Sequence, residues 1–322
     1  METSRGSTLV PHSVVAEIKL LSEIAKSNGS LISLEDISVL THCDLSEEQL
    51  ETSWQANPDL ANTFELHNGF VIERAGSESC NLLVQREIWK RAVAKRNTSI
   101  AKEFVRLCGE RKIPLIALSG STSYQSVSER DDLDFFCIAR SGSLWIFLTK
   151  ALLLARVFRL VRRNVPRICF SYAMDQEFAE RTFSASNDAL FARDALAATV
   201  LTGSESYTNL LKKNTWISNH FPRLYNQRIS MVDFNENQCT QTTSSPASKF
   251  LNDLLRFVVG RYILLKSNLL NRRFAKSAKF SSLFAVNAGP DHCIFESVRY
   301  SSLRTMYERF AQTQTMSGPQ RS

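Results

Sequence analysis

The chain has 322 residues, 43% of them hydrophobic and 22% charged, which describes an ordinary globular protein long enough for about two domains with a real core. A formal charge of +7 suits polyanionic partners such as nucleotides or RNA, although basicity alone is a weak witness. Seven scattered cysteines (Cys43, Cys80, Cys108, Cys137, Cys169, Cys239, Cys293), odd in number and without a CxxC pair, together with five dispersed histidines, exclude a disulfide framework and a zinc site, and fit reduced thiols in a cytoplasmic protein.

No apolar run follows Met1-Glu2-Thr3, so no secretory leader is expected, and residues 1–12 carry no periodic pattern. Val14, Ile18, Leu21 and Ala25 recur at helical spacing and predict a first helix that stops near Asn28-Gly29. Ser33 precedes Leu34-Glu35-Asp36 as an N-cap for a short helix through Leu40, and Ser46-Glu47-Glu48-Gln49 matches a capping box opening a third helix through Trp54. Alternating residues from Phe64 to Ile72 around Asn68-Gly69 give a strong hairpin signal. Three helices and a hairpin over residues 13–76 read as a winged helix. Its third helix carries Glu47, Glu48 and Glu51 and no cation, so phosphates would repel it. The segment therefore reads as a structural or protein-contact unit, not a DNA reader.

Residues 80–110 predict a connecting helix with Leu83, Ile88, Trp89 and Val93 inward. Gln85-Arg86, Lys90-Arg91 and Lys95-Arg96 then lie outward, as a solvated face more than a rail for RNA. Ile113 to Leu118 is a short apolar run ending in Ser119-Gly120-Ser121, which reads as a buried strand and a tight turn. Gly120 lets backbone approach an anion closely, and a helix beginning at Ser121 would offer free N–H groups to a phosphate. Leu133 to Ala139 is the next strand, so Asp132 and Asp134 share one face while Leu133 and Phe135 share the other. Two carboxylates held this close call for a cation between them. A hard ion with oxygen ligands and bridging phosphates, Mg2+, fits that need.

The apolar stretch Leu144–Val161 is interrupted by Lys150, Arg156 and Arg159, and Leu254–Leu270 by Arg256, Arg261 and Lys266; neither reads as a membrane span, and no membrane partner is expected. Arg156, Arg159, Arg162, Arg163 and Arg167 stand without an acid between Lys150 and Asp175. They fit either a substrate's negative charge or a row snorkelling from a buried helix. A strand is expected over 165–174, helices over 187–201 and 206–213, a polar linker over 233–249, and amphipathic helical pattern up to residue 311, with 312–322 frayed.

The Gly120-Ser121 turn, the spacer and Asp132-Leu133-Asp134 resemble the signature of the polymerase-β-like nucleotidyltransferase superfamily. The turn Ser141-Gly142-Ser143-Leu144-Trp145, the strand Arg167-Ile168-Cys169-Phe170 and Asn214-Thr215-Trp216 ahead of Phe221-Pro222 are similar to a prokaryotic-type subgroup in which a winged helix commonly precedes the transferase domain. The likeness is good over residues 111–172 and loose over 14–311. It implies an α/β (α+β) chain: a winged-helix domain at 13–76, a connecting helix at 80–110, a nucleotidyltransferase domain with a small mixed sheet at 111–232, and a helical C-terminal region at 247–311. It also implies transfer of an NMP group from an NTP to an acceptor (small molecule, RNA or protein) with release of pyrophosphate. Gly120 and Ser121 would then hold the nucleotide, and Asp132 and Asp134 would be the catalytic, metal-binding pair. One departure stands out: the strand that carries a third acid in many members has Cys169 and Ser171 here, and Asp175, Asp188 and Asp194 lie beyond it. A catalytically degenerate nucleotide-sensing regulator or partner-binding protein is the alternative.

Overall fold

The computed structural model describes residues 12–41, 45–74, 76, 78–109, 113–129, 131–230, 246–277 and 283–317. Most of the expected linker over 233–249, the chain ends, Cys43 and Cys239 lie outside the described residues. The protein is a mixed α/β structure with small sheets.

The first segment runs α1 (His12–Ser27), β1 (Ile32–Ser33), α2 (Leu34–Leu40), α3 (Glu47–Ala56), α4 (Pro58–Thr63), β2 (Phe64–His67) and β3 (Phe70–Glu73). Its starts follow local chemistry. The Ser33 and Ser46 hydroxyls each accept the N–H three residues on, and Asp36 and Gln49 reach back to close both capping boxes. Asn68 (φ 51°) and Gly69 (φ 77°) turn the hairpin in the left-handed region that their small side chains tolerate. The strands pair antiparallel in the order β1-β3-β2. Helix α4 was not foreseen. Asn57 starts it by accepting from the N–H groups of Asp59 (3.1 Å) and Leu60 (3.2 Å), with Pro58 at the first helical position. Asn57→Ala is expected to lower the unfolding free energy by about 1–2 kcal/mol in a urea titration, while Asn57→Asp loses little.

Helix α5 (Cys80–Cys108) connects to the second segment and ends at Gly109 in the left-handed region. Its register differs from expectation. Val84, Val93, Ala94, Ala101, Phe104, Val105 and Cys108 face inward, whereas Ile88 and Trp89 are 55% and 42% exposed. Glu87 takes the inward place expected of Ile88, because it ion-pairs with Lys90 at 3.2 Å and accepts the Leu31 N–H. Lys90 also donates to the Gly29 carbonyl, and Arg91 lies 4.8 Å over the Phe70 ring. These cations fasten α5 to the first segment.

The second segment holds a six-stranded sheet in the order β7-β4-β5-β6-β9-β8. Its strands are β4 (Leu115–Ser119), β5 (Leu133–Ala139), β6 (Ile168–Asp175), β7 (Thr199–Thr202), β8 (Phe284–Ala288) and β9 (His292–Ser297), and only β5 and β6 pair parallel. Period-two alternation sorts its side chains between two cores. Ile116, Leu118, Leu133, Phe135 and Cys137 pack with α5 and with α7 (Leu144–Val161). Leu115, Ala117, Ile138 and Met174 pack on the other side with α8 (Gln176–Ala185), α9 (Ala189–Ala197), α10 (Ser204–Lys213), α11 (Trp216–His220), α12 (Pro222–Ser230) and the first segment. The final helix α15 (Val298–Ser317) crosses that core and packs against α1 and α9.

Three expectations are corrected here. Thr199 to Leu201, the end of the expected helix over 187–201, belong with Thr202 to edge strand β7, since β-branched Thr199, Val200 and Thr202 pair with β4. The C-terminal region is not wholly helical: after α13 (Pro246–Leu255), a π-helical turn (Arg256–Gly260) and α14 (Arg261–Lys276), the chain adds the β8–β9 hairpin to the sheet beside β6. Helix α15 continues past residue 311 to Ser317.

Candidate functional site

The turn after β4 and the acids of β5 meet because the two strands are antiparallel neighbours, with Ser119 opposite Asp134. Gly120 has φ +62°, and a Cβ built there would lie 2.7 Å from Asp134 Oδ2. Glycine is required twice over: for the left-handed turn, and to let backbone lie against the carboxylate. The helix expected at Ser121 is the single turn α6 (Gly120–Ser123). One turn carries little dipole, so any pull on a phosphate comes from its free N–H groups and the Ser121 hydroxyl.

Asp134 sits at a slip in the β5–β6 register, where Asp134 pairs with Cys169 and Phe136 with Tyr172. The extra residue in β6 turns Phe170 into the aromatic core, with its ring 5.6 Å from that of Phe135, and aims Ser171 at the acid. Asp134 Oδ1 accepts the Ser171 hydroxyl. Burial pushes the Asp134 carboxyl up to about 6; hydrogen bonds from Ser171 and Cys169 oppose that rise, and the negative charges of Asp132 and Asp131 add to it. Burial also raises Asp132, with the cations of Arg167 and Arg159 pulling the other way. The Cys169 thiol is held up to about 12 by burial and by Asp134, so it stays protonated as a donor.

Gly120, Ser121, Asp132 and Asp134 line one cleft of about 1840 Å³, with Arg159, Arg167 and Lys266 on its walls. The five arginines thus divide. Arg156, Arg159 and Arg167 reach the cleft, whereas Arg162 ion-pairs with Glu103 on α5 and Arg163 is exposed beyond the lining. Of the later acids, Asp175 caps α8 through the Phe178 N–H (2.9 Å), and Asp188 caps α9 and pairs with Arg304 at 2.7 Å. Asp194 lines the cleft's other end, where it accepts the Tyr124 hydroxyl; burial pushes its carboxyl up to about 6. Arg193 stands 5.0 Å over the Tyr124 ring, and Tyr300 and Tyr307 of α15 complete this end. Asp194 carries no local signal beyond its bare presence, since Tyr124 and α15 are remote along the chain.

Among the described residues no three His, Cys, Asp or Glu side chains gather where they could hold a metal ion by themselves. Asp132 and Asp134 do fit the sharing mode of Mg2+, in which one or two carboxylates act with phosphate oxygens and water. Burial is the chief cause of the raised pKa of both acids, and the charge of Asp132 adds to it at Asp134.

Comparison of the chain with protein-family models, curated proteins and solved structures finds no match in any of the three. The likeness to the polymerase-β-like group is carried by the motif and its surroundings alone.

Proposed function

We propose that the chain is a magnesium-dependent nucleotidyltransferase that moves an NMP group from an NTP to an acceptor and releases pyrophosphate. The observation that carries this reading is the fit of Gly120 against the Asp134 carboxylate, which puts an anion-gripping turn and the acid pair in one cationic cleft. Backbone N–H groups at Gly120 and Ser121, with the Ser121 hydroxyl, grip the terminal phosphates. Asp132 and Asp134 hold the magnesium, which when bound supplies charge neutralisation along the phosphates. The acceptor oxygen forms its bond to the α-phosphorus as the bond to the pyrophosphate oxygen breaks. Arg159, Arg167 and Lys266 offset the charge that accumulates on the leaving group. On this reading residues 13–76 are a winged helix whose acidic third helix meets a protein surface instead of DNA, and residues 111–232 are the transferase domain.

One observation favours a second reading, a nucleotide-sensing regulator. Ser171 and Cys169 contact Asp134 from the strand where a third acid is expected, and neither can accept a proton from an attacking hydroxyl as a carboxylate would. Purified protein incubated with labelled NTPs, Mg2+ and a cell extract separates the two. Transfer of label to an acceptor with stoichiometric pyrophosphate supports the transferase. Saturable NTP binding by titration calorimetry without pyrophosphate release supports the regulator. Absence of both turnover and binding rejects the site.

A further inference from the structure

The segment from α13 through α14 is apolar on both sides. Inward it buries Ile263, with Leu255 and Val259 packed on the same core, together with Asn252, Ser267 and the bare backbone of Gly260. Asn252 Oδ1 accepts the Trp145 N–H at 2.8 Å at the start of α7, and Gly260 lies flat on the Trp145 ring, where a Cβ would come within 3.3 Å. Outward, between charged residues, stand Phe250, Leu254, Phe257, Val258, Leu265 and Leu269, each about half exposed or more. Beside it, where Arg156 donates to the Tyr262 hydroxyl at 2.6 Å, the end of α7 exposes Leu160 (85%) and Val161 (81%). An apolar surface of this extent on a water-facing helix marks an interaction site. Exposed Leu, Val and Phe interleaved with Arg and Lys is the composition of a helix that lies in a membrane interface.

Charge selects the occupant. Asp253 is the one acid in the run Pro246–Lys276, and no Asp or Glu occurs from Phe135 through Met174, while Arg256, Arg261, Arg272, Arg273 and Lys276 are exposed along the helix and Arg163 beyond the end of α7. A second copy docking face to face would bring these cations against one another. A nucleic acid would meet the cations and could stack bases on Phe250 and Phe257, but it would gain nothing from the more numerous Leu and Val side chains. An anionic bilayer surface satisfies both: aliphatic and aromatic side chains enter the acyl boundary while Arg and Lys reach lipid phosphates. No described helix is long and apolar enough to cross a membrane, so the contact is with the surface, and such a contact departs from the expectation of no membrane partner.

We infer that the exposed face of α13–α14, flanked by the end of α7, is a docking surface for anionic lipid bilayers. The helical run Pro246–Lys276 would lie along the interface for about 45 Å. Val258, Tyr262 and Leu160 belong both to this face and to the cleft wall, so docking holds the cleft mouth at the lipid surface. The inference is independent of the transferase reading, because it uses none of the four motif residues.

The test is flotation of the full-length protein with vesicles of phosphatidylcholine alone and of phosphatidylcholine with phosphatidylglycerol in equal parts. Binding to the mixed vesicles only, weakened by salt, is expected. Phe257→Glu with Leu265→Glu should abolish flotation without shifting the melting temperature, since both side chains are exposed. Arg272→Gln with Arg273→Gln should weaken binding roughly 30-fold. No flotation with mixed vesicles, equal flotation with both kinds, or unchanged flotation of the Phe257/Leu265 variant would each overturn the inference. So would a dimer in solution that the same variant converts to monomer, which would assign the face to a second copy.

Discussion

If the proposed transferase reading holds, Asp134→Asn is expected to abolish magnesium-dependent NTP turnover and at the same time to raise the melting temperature of the metal-free protein above pH 6. Asparagine keeps the shape and still accepts the Ser171 hydroxyl, so the fold around β5 and β6 is retained. What it removes is a buried charge. The folded-state pKa of Asp134 is about 6 against an ordinary 3.8. Between those values the folded protein binds more protons than the unfolded chain, so stability falls as pH rises through that window. Above it the ionised carboxylate costs on the order of 2–3 kcal/mol at most, which the substitution relieves. Mg2+ should relieve the same cost in the native protein, and its stabilising effect should fade as pH falls below about 6, where the carboxyl is protonated. Turnover should decline over that same range. Melting curves with and without Mg2+ from pH 5 to 8, alongside pyrophosphate release, check all of this. Asp132→Asn should likewise abolish turnover; unchanged turnover in both variants would remove the site from consideration. A purely structural role for Asp134 would show as a lowered melting temperature.

Gly203→Ala should be the most damaging single-methyl change in the chain. Gly203 ends β7 and precedes α10 with φ +82°, and a Cβ there would fall inside the Pro114 carbonyl and 2.9 Å from Leu115 Cα. Those are main-chain atoms at the entry to β4, so no rotamer change can relieve the overlap. Either β7 separates from β4 or β4 moves, and Ser119 and Gly120 move with it. The expected loss is on the order of 4 kcal/mol or more by urea titration, or failure to accumulate as folded protein. Gly29→Ala is the control. It has φ +67° but nothing within 4 Å of a built Cβ, so it should cost only about 1–2 kcal/mol for the left-handed backbone. Equal losses at both positions would mean that backbone handedness, and not the approach of β7 to β4, is what glycine serves.

Much of the local structure is written in short-range chemistry. The Ser33 and Ser46 capping boxes, the Asn68-Gly69 turn and the alternation Leu133-Asp134-Phe135 each involve residues within a few positions of one another, so they fold as the local pattern dictates. The proximity of the proposed site residues was legible for the same reason. Gly120 and Ser121 follow one strand and Asp132 and Asp134 open the next, and antiparallel pairing brings Ser119 opposite Asp134. The inward face of α5 was misjudged because Glu87 and Lys90 find partners in the first segment, which composition cannot reveal. The β8–β9 hairpin was missed because its residues gain strand structure by completing the edge beside β6, a long-range pairing with no local signature.

Residue order thus set the helix starts, the tight turns and the side of β5 on which both acids stand, since each depends on contacts a few residues apart. Long-range packing alone settled which cations face the acids, that Ser171 and Cys169 answer Asp134, and that Asp194 closes the far end of the cleft. Those outcomes come from a register slip in β6 and from α9 bringing Asp194 to Tyr124 across the fold, and neither has a trace in neighbouring residues. The same holds for α13–α14: its apolar run is plain in the chain, but only the seating of Asn252 and Gly260 on Trp145 turns the Leu and Phe side chains outward.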